Sequence, residues 1–315
     1  MNDKIIGLLK KDTFVSGEIL AKNLGISRTA IWKQIKSLKD VGYEIESVKN
    51  KGYRLISKPD VPLPEEIKYG LETKVIGTDI VYFRKINSTN LYCKNIAKEN
   101  ASEGTVVVAD IQEKGRGRKS RVWSSPEGGL WFSVLLKPDI PPQNAMILTM
   151  ATSVSLVEAI EENTGLNPVI KWPNDLLIGS KKICGILTEL DAEMDKINYA
   201  IVGVGINVNN SLSNDLQNIA TTLKKESNIK ISRVELLKDI IKNIDRNYNY
   251  VKSLDFDKIR QLWFLHADII GKKVKVTREK DVVVGRVSDV DETGCLILDT
   301  KEGLEKIITG DVIFL

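Results

Sequence analysis

The sequence predicts an α+β chain in three parts, and two changes of pattern along it support this division. Residues 1–60 combine amphipathic helices with a strand pair, residues 67–270 alternate strands and helices, and residues 271–315 contain short strands separated by turn residues. Residues 57–66 hold three prolines and are predicted to form a stiff linker. At 315 residues and 42% hydrophobic content, the chain is long enough for more than one core.

The first part contains two helices joined by a short turn. Residues 16–24 form an amphipathic pattern that ends at Gly25, a residue suited to the left-handed turn that closes a helix. Ser27 can cap the next helix, which is predicted for residues 28–40. Apolar residues recur along one face of that helix, at Ile31, Ile35 and Leu38. This pattern predicts a helix-turn-helix, whose second helix enters the DNA major groove.

The opposite face of this second helix and the segment after it are basic. Two short strands are predicted within residues 43–55, around a Lys-Asn-Lys-Gly turn, and they form a wing. Lys49 and Arg54 flank its tip, where they can meet DNA phosphates. The predicted DNA contacts are Ser27, Arg28, Thr29, Trp32, Lys33, Lys36 and Lys51. Because the net charge is only +4, DNA affinity must come from this local cluster, and the alternative is a solvated or protein-binding face.

Composition argues against several other kinds of site. Cys93, Cys184 and Cys295 are far apart and show no CxxC spacing, which disfavours a disulfide framework and a zinc site. The single histidine, His266, lies in an apolar stretch and is predicted to pack on a helix, so no metal ligand is assigned. No apolar run approaches the roughly 20 residues of a membrane span, and no signal peptide is recognisable. We therefore expect a cytoplasmic protein with no membrane partner.

The second and third parts are defined by their strand and helix patterns. Strands are predicted at Ile80–Phe83, Thr105–Ala109, Leu130–Leu136, Val169–Trp172, Ile183–Thr188 and Tyr199–Val208. Long helices are predicted at Asn144–Glu162 and Ser232–Lys252. The third part has short strands at Lys273–Thr277, Val282–Val287, Cys295–Leu298, Leu304–Ile308 and Val312–Leu315. Together these patterns predict a mixed-sheet α/β domain followed by a small β-barrel.

The segment Gln112–Trp123, here called the arginine loop, carries the clearest chemical signal. Gly115 and Gly117 allow its backbone to approach a ligand closely, and three arginines offer planar donors for phosphate or carboxylate oxygens. Those arginines are Arg116, Arg118 and Arg121. The loop has neither the GxxxxGK[ST] pattern of a phosphate-binding loop nor a GxGxxG dinucleotide fingerprint. A glycine-arginine run can also be a flexible RNA-binding segment, but the flanking strands favour an active-site loop.

Three further segments have unusual residue choices. Lys171–Asp175 follows a predicted strand and presents Asn174 and Asp175 at its end. Lys182 falls in an otherwise apolar strand, where a buried charge is costly unless it is paired. Gly203–Asn207 places two glycines near a strand end, and alone this could mark only a tight turn. Core packing is predicted for Trp123, Trp131 and Trp172.

Taken together, these segments resemble the biotin–protein ligases, and the helix-turn-helix makes the chain similar to the bifunctional class that also represses biotin-synthesis genes. The resemblance rests on Ser88-Thr89-Asn90, Gln112, Gly115–Arg118, Lys171–Asp175, Lys182 with Gly185-Ile186-Leu187, and Gly203–Asn207, in the family's order. It implies a class II synthetase-like central domain and an SH3-like C-terminal barrel. The implied activity joins biotin and ATP, with magnesium, into biotinyl-adenylate and transfers biotin to a lysine of a biotin carboxyl carrier protein.

The resemblance also implies roles for individual residues. The catalytic cations would be Arg116, Arg118 and Lys182. Biotin would contact Ser88, Thr89, Asn90, Gln112, Arg116, Gly117, Arg118 and Lys182. ATP or the adenylate would contact Gly115, Arg118, Arg121, Asn174, Asp175 and Asn207. Biotin would act as corepressor, and an adenylate-bound homodimer would bind operator DNA.

The sequence departs from the family pattern at two places and leaves two alternatives open. Lys119–Val122 lacks the Gly-Arg or basic pair of several relatives, and Asn218–Leu223 has no tryptophan of the kind that some members place against adenine. A lipoate-type ligase shares the adenylation chemistry, and a ligand-sensing repressor could lack catalysis altogether. The arginine loop combined with Lys171–Asp175 favours biotin over lipoate, and the intact set of cations favours a catalyst.

Overall fold

A computed structural model describes residues 2–9, 13–278 and 281–315 of the chain. The chain divides into two compact units, one ending at Gly70 and the other running from Leu71 to Leu315. The C-terminal strands therefore pack in one unit with the central domain. Within the described ranges, no helix combines the length and the apolar character needed to cross a membrane.

The first unit is a winged helix-turn-helix, as the sequence predicts. Its elements are α1 (Asn2–Leu9), α2 (Gly17–Leu24), α3 (Arg28–Asp40), β1 (Glu44–Val48), β2 (Gly52–Ser57) and α4 (Pro64–Lys68). The Ser27 hydroxyl accepts a hydrogen bond from the Ala30 N–H at 3.1 Å, which caps α3. Gly25 closes α2 with φ of 65°, in the left-handed region. Both predicted caps are therefore confirmed.

The proline-rich stretch is more ordered than a simple linker. Its last residues form α4, which begins at Pro64. The Tyr43 hydroxyl donates a 2.8 Å hydrogen bond to the buried Glu66, and Ile67 on the same helix is fully buried. These contacts pack the end of the stretch into the first unit.

The second unit is built on a seven-stranded mixed sheet. The strands are β3 (Ile80–Ile86), β4 (Val106–Gln112), β5 (Leu130–Leu136), β6 (Val169–Lys171), β7 (Asp175–Ile178), β8 (Lys181–Ala192) and β9 (Ile197–Ile206). Their order is β3-β4-β5-β9-β8-β7-β6, and only the β3–β4 pairing is parallel among these described strands. The helices are α5 (Thr89–Lys98), α6 (Met146–Thr164), α7 (Leu223–Ser227), α8 (Arg233–Lys252) and α9 (Phe256–His266).

Some elements of this unit differ from the predictions. Helix α5 was not predicted, because its buried positions include the polar Thr89 and Asn90 and thus hide the apolar periodicity. Strand β8 extends beyond the predicted run at both ends. His266 ends α9, with its Nδ1 3.6 Å from a carboxylate oxygen of Glu161, so its predicted place on a packed helix is confirmed.

The C-terminal strands form one bent antiparallel sheet. They are β10 (Lys273–Thr277), β11 (Val282–Val290), β12 (Leu296–Thr300), β13 (Gly303–Ile307) and β14 (Asp311–Phe314), in the order β13-β12-β11-β10-β14. A shift of register between Val287 and Asp289 lets the first half of β11 pair with β10 and the second half with β12. Such a bulge bends a strand, as a small barrel requires. The Trp172 indole N–H donates to the Gly294 carbonyl at 3.0 Å, which joins this sheet to the central domain.

Candidate functional site

One cavity of about 290 Å³ gathers nearly all the predicted ligand-binding residues. It lies between the start of α5, the end of β4, the arginine loop and strands β7 to β9. The predicted residues that line it are Ser88, Thr89, Asn90, Gln112, Arg116, Gly117, Arg118, Arg121, Asn174, Asp175, Lys182 and Asn207. A cavity of this size, with several convergent polar groups, suits a small organic ligand.

The floor of the cavity is made of glycines on adjacent strands. Gly185 on β8 pairs with Gly205 on β9, and Gly203 lies two residues before Gly205. A Cβ atom at Gly205 would come within 2.3 Å of the Trp123 indole nitrogen, and one at Gly203 within 1.9 Å of the Asn90 amide oxygen. The glycines therefore leave room for side chains that project over the sheet. The Gly203–Asn207 segment is part of the cavity wall rather than only a strand end.

Trp123 is a cavity residue, contrary to the prediction that it packs in the core. Its ring lies over Gly205, and the Lys182 ammonium is 5.1 Å from the ring centroid, a cation–π distance. Trp131 and Trp172 are buried as predicted. Tryptophans are usually core residues, and no local pattern marked Trp123 as different. Only the fold of the arginine loop brings it over the sheet.

One end of the cavity is a network of neutral polar groups. The Thr89 backbone N–H and hydroxyl both donate to the side-chain oxygen of Gln112, at 2.8 and 3.1 Å. The Ser133 hydroxyl lies 2.7 Å from the Thr89 hydroxyl and 2.6 Å from the Asn90 amide oxygen. The Asn90 amide N–H donates at 2.8 Å to Glu189, a carboxylate that also contacts Arg116 and so joins this neutral network to the cations. This network fixes the side chains that would hydrogen-bond a neutral polar ligand group.

The other end of the cavity is cationic, and carboxylates hold its cations in place. Lys182 Nζ lies 2.6 Å from an oxygen of Asp175, which supplies the partner that a lysine in this strand requires. An extra residue in β8, between the partners of Leu176 and Leu177, sets the register around Lys182. Arg116 contacts Glu189 at 3.3 Å, and Arg121 contacts Asp311 at 2.6 Å.

Arg118 joins the arginine loop to two other segments. Its guanidinium donates to the Asn174 side-chain oxygen at 2.9 Å and to the Thr309 hydroxyl at 2.6 Å. Burial lowers the pKa of Arg118, and the nearby carboxylates of Asp311 and Asp175 oppose this change. An arginine remains charged under such conditions. Arg118 is thus a fixed cation at the cavity wall.

Asp311 belongs to the site but was not found from the sequence. Burial alone would raise the pKa of this carboxyl, yet Arg121 and Lys119 hold the pKa below its ordinary value. It therefore stays charged and retains the arginine loop through two ion pairs. Asp311 is about 190 residues away from the loop in sequence, and no local pattern reveals such a pairing.

Gly115 is not among the residues that line the cavity, and its contact with the adenylate stays a prediction. A Cβ atom there would lie 2.3 Å from the Trp123 carbonyl oxygen, and the Gly115 carbonyl accepts a 2.9 Å hydrogen bond from the Trp123 N–H. The residue is needed for close packing inside the arginine loop. The need for a glycine at this position therefore comes from the backbone of Trp123, which lies close to it.

A buried ion pair supports both ends of the segment that contains the arginine loop. Arg233 at the start of α8 donates to Asp110 at 2.9 Å and to the Gly129 carbonyl at 3.2 Å. Asp110 also accepts a 2.6 Å hydrogen bond from the Tyr82 hydroxyl, and burial together with this bond raises the pKa of Tyr82. Because Asp110 and Gly129 lie on either side of the loop, this pair holds the base of the loop.

The candidate DNA-binding surface lies on the first unit. All seven predicted contact residues are exposed, and α3 directs its buried face inward through Ile31, Ile35 and Leu38. Arg54 on the wing also has contacts within the first unit. It donates to Glu46 at 2.6 Å and lies 4.8 Å from the Phe14 ring centroid, and its contact with phosphates stays a prediction.

Replacing Gly203 by alanine is expected to raise the KM for the substrate that binds at the neutral polar network around Asn90. The added methyl group would displace the Asn90 side chain, and overpacking of this kind costs roughly 1–3 kcal/mol, or about 5- to 150-fold. Steady-state kinetics would measure KM, with Gly7→Ala, whose Cβ meets open space, as the matched control. An unchanged KM would mean that the Asn90 position is unimportant.

Comparison with characterised proteins places the chain in a family. It is 43% identical over 303 residues to the bifunctional ligase/repressor BirA of Bacillus subtilis (strain 168), and the match covers 95% of this chain and 93% of that protein. The chain belongs to the bifunctional biotin ligase/repressor family. The BirA protein of Escherichia coli (strain K12) is another member, 28% identical over 98% of this chain and 95% of its own length.

Three family models match successive parts of this BirA-family chain. An HTH domain matches residues 2–54, the biotin/lipoate A/B protein ligase family matches residues 82–207, and the biotin protein ligase C-terminal domain matches residues 269–315. The Aquifex aeolicus biotin protein ligase solved with biotin and ATP has a TM-score of 0.66 and 32% identity, covering 76% of this chain and 99% of its own. The predicted family and fold class are confirmed.

Proposed function

We propose that this BirA-family chain is an ATP-dependent biotin–protein ligase and a biotin-responsive DNA-binding repressor. One observation carries the ligase function: a neutral polar network and a set of fixed cations meet in one cavity of about 290 Å³. The neutral end suits the uncharged ring system of biotin. The cations Arg116, Arg118, Arg121 and Lys182 suit a carboxylate and phosphates.

The first step activates a carboxylate, which is by itself a poor acylating agent. A carboxylate oxygen of biotin attacks the α-phosphorus of ATP, the bond to the β-phosphate oxygen breaks, and pyrophosphate leaves. Negative charge spreads over the transferring group, and fixed cations such as Arg118 and Lys182 stabilise it. Asp175 positions Lys182 at the cavity before negative charge develops on the phosphate. Ligand oxygens would then compete with the Asp175 carboxylate for the lysine.

Magnesium would enter this step with ATP. Within the described ranges, no group of three or more His, Cys, Asp or Glu side chains could hold a metal by itself. The Asp175 carboxylate is an oxygen donor of the type that magnesium prefers, and together with phosphate oxygens it would hold the ion. Bound there, magnesium would neutralise phosphate charge.

The second step transfers biotin to a lysine of a carrier protein. The lysine amine attacks the acyl carbon of biotinyl-adenylate, the bond between acyl carbon and phosphate oxygen breaks, AMP leaves, and the nitrogen loses a proton. No enzyme nucleophile is required. The arginine loop, held by Asn174, Thr309 and Asp311, would exclude water and protect the mixed anhydride until the amine arrives.

Biotin-dependent exchange of labelled pyrophosphate into ATP tests the ligase proposal. We expect exchange with biotin and none, or far less, with lipoate. The comparison matters because the matching ligase family includes both chemistries. Exchange with lipoate alone would favour the lipoate-type alternative. Absence of exchange with either acid would favour a sensor without catalysis.

The repressor proposal rests on the basic, exposed face of α3. We expect duplex binding to weaken steeply as salt rises, because binding releases counterions from phosphates. Lys33→Ala should reduce the slope of log affinity against log salt by about one, as loss of a single phosphate contact predicts. Mobility-shift titrations at several salt concentrations measure this slope. A slope that does not depend on Lys33 would remove that residue from the interface.

Biotin would control DNA binding through dimerisation. We propose that the adenylate orders loops on the central sheet, favours a two-fold homodimer, and so presents two winged helices to two half-sites of an operator. The carrier protein would compete with dimerisation. Sedimentation with biotin and ATP, with and without a carrier fragment, tests this order, and a monomer under every condition with DNA present would refute it.

The buried free thiols of Cys93, Cys184 and Cys295 suit the reducing cytoplasm, where we propose that the protein acts.

A further inference from the structure

Helix α3 carries an exposed tryptophan, Trp32. Trp32 is 55% exposed, whereas Trp131, Trp172 and Trp263 are at most 1% exposed. Exposing so large an aromatic surface to water forgoes the hydrophobic free energy that its burial would supply. Tryptophan is enriched among the residues that dominate binding energy at interfaces, so an exposed tryptophan on a proposed binding surface is a candidate for a contact that a partner covers.

The surroundings of Trp32 favour a polyanionic partner. Thr29 and Lys36 lie three residues before and four residues after Trp32, spacings that place them beside it on the helix surface, and the adjacent Lys33 is exposed as well. The Lys36 ammonium is 5.8 Å from the centroid of the Trp32 ring. Arg28 adds a further cation at the start of the helix. A protein partner would need a strongly acidic surface to match this face, whereas DNA supplies the negative charge directly.

The position of Trp32 along α3 matters for what it can touch. It is the fifth residue of the helix, which begins at Arg28, and recognition helices meet base edges mainly through their N-terminal residues. Lysines on either side would reach phosphates, which carry no sequence information. An indole ring is large and mostly apolar, so it is poorly suited to phosphates and well suited to an apolar group on a base edge.

The major groove offers one such group, the C5-methyl of thymine. We propose that Trp32 recognises thymine in the operator half-site by packing against this methyl group. The proposal rests on the DNA-binding function proposed above and adds a specific base to it. Trp32 would then contribute sequence specificity, whereas Lys33 and Lys36 would contribute affinity.

Removing single methyl groups from the DNA tests the proposal. The full-length chain, with biotin and ATP, would first select a duplex from a random-sequence library. Each thymine of that duplex would then be replaced in turn by deoxyuridine, which keeps base pairing and lacks only the methyl group. At one or two positions in each half-site, wild-type affinity is expected to fall about fourfold, the effect of exposing one methyl group.

Variants distinguish a methyl contact from a general loss of binding. Trp32→Ala is expected to bind the thymine duplex on the order of tenfold more weakly and to become insensitive to uridine at the same positions. Trp32→Phe should keep part of the sensitivity, because it keeps an apolar ring. Lys33→Ala should bind all the duplexes more weakly by a common factor and remain as sensitive to uridine as the wild type.

Three outcomes would overturn the proposal. Wild-type affinity that is indifferent to every uridine substitution would exclude a methyl contact, even with DNA binding intact. Trp32→Ala binding as tightly as the wild type would exclude Trp32 from the interface and favour a protein partner. Failure to select any duplex would overturn the DNA-binding function itself. Because the buried face of α3 is untouched, we expect the thermal transition of Trp32→Ala to match that of the wild type.

Discussion

Lys182→Ala is expected to lower the rate of biotin-dependent pyrophosphate exchange by on the order of 10²- to 10³-fold, as loss of one preorganised charge contact at a transferring group predicts. The lysine is held at the cavity by Asp175 at 2.6 Å and lies against the Trp123 ring. Removing it also leaves Asp175 without that counter-charge, which would repel incoming phosphates. Both effects act on the first half-reaction.

The measurement is the initial rate of exchange at saturating biotin and ATP. Lys242→Ala is a suitable control, because that lysine lies on the exposed side of α8 and pairs only locally with Asp239. Lys182→Arg keeps a positive charge but not the geometry, and we expect it to recover only part of the rate. Exchange by Lys182→Ala at the wild-type rate would remove the lysine from the mechanism.

Arg118→Gly is expected to release biotinyl-adenylate on the order of 10- to 100-fold faster than the wild type, as the loss of two hydrogen bonds from a charged group predicts. Those bonds connect the arginine loop to Asn174 and Thr309, so their removal frees the loop to open. Escaped adenylate would then react with exposed lysines of unrelated proteins. The first half-reaction should be less affected than retention of its product.

Retention is measured by forming labelled adenylate on the protein and following its loss after dilution into unlabelled biotin. Thr309→Val removes one of the two Arg118 partners and should give an intermediate release rate. Labelling of a bystander protein such as serum albumin should rise in parallel. An adenylate dissociation rate equal to that of the wild type in Arg118→Gly would show that the loop does not retain the intermediate.

Local features of the sequence were sufficient for much of the fold. The Ser27 cap, the Gly25 turn and the strand Leu130–Leu136 depend on neighbouring residues, and all three occur as predicted. The need for a partner at Lys182 also followed from the cost of burying a charge, although its identity, Asp175, required the register of β7 and β8.

Contacts between distant segments could not be predicted in the same way. Asp311 and Thr309 meet the arginine loop only because the C-terminal sheet packs in the same unit. Trp123 was assigned to the core because tryptophans usually pack there, yet the glycines of β8 and β9 open a space that it covers. Such residues are found through tertiary structure, since neither periodicity nor spacing distinguishes them.

The central claim is that the fixed cations and the neutral polar network form one site that activates biotin and holds it for an amine. The most direct test incubates the protein with labelled biotin, ATP, magnesium and a biotin carboxyl carrier domain, and counts biotin on the carrier and AMP in solution. We predict that both appear in equal amounts and that both depend on the acceptor lysine. AMP without labelled carrier, or neither product, would contradict the account.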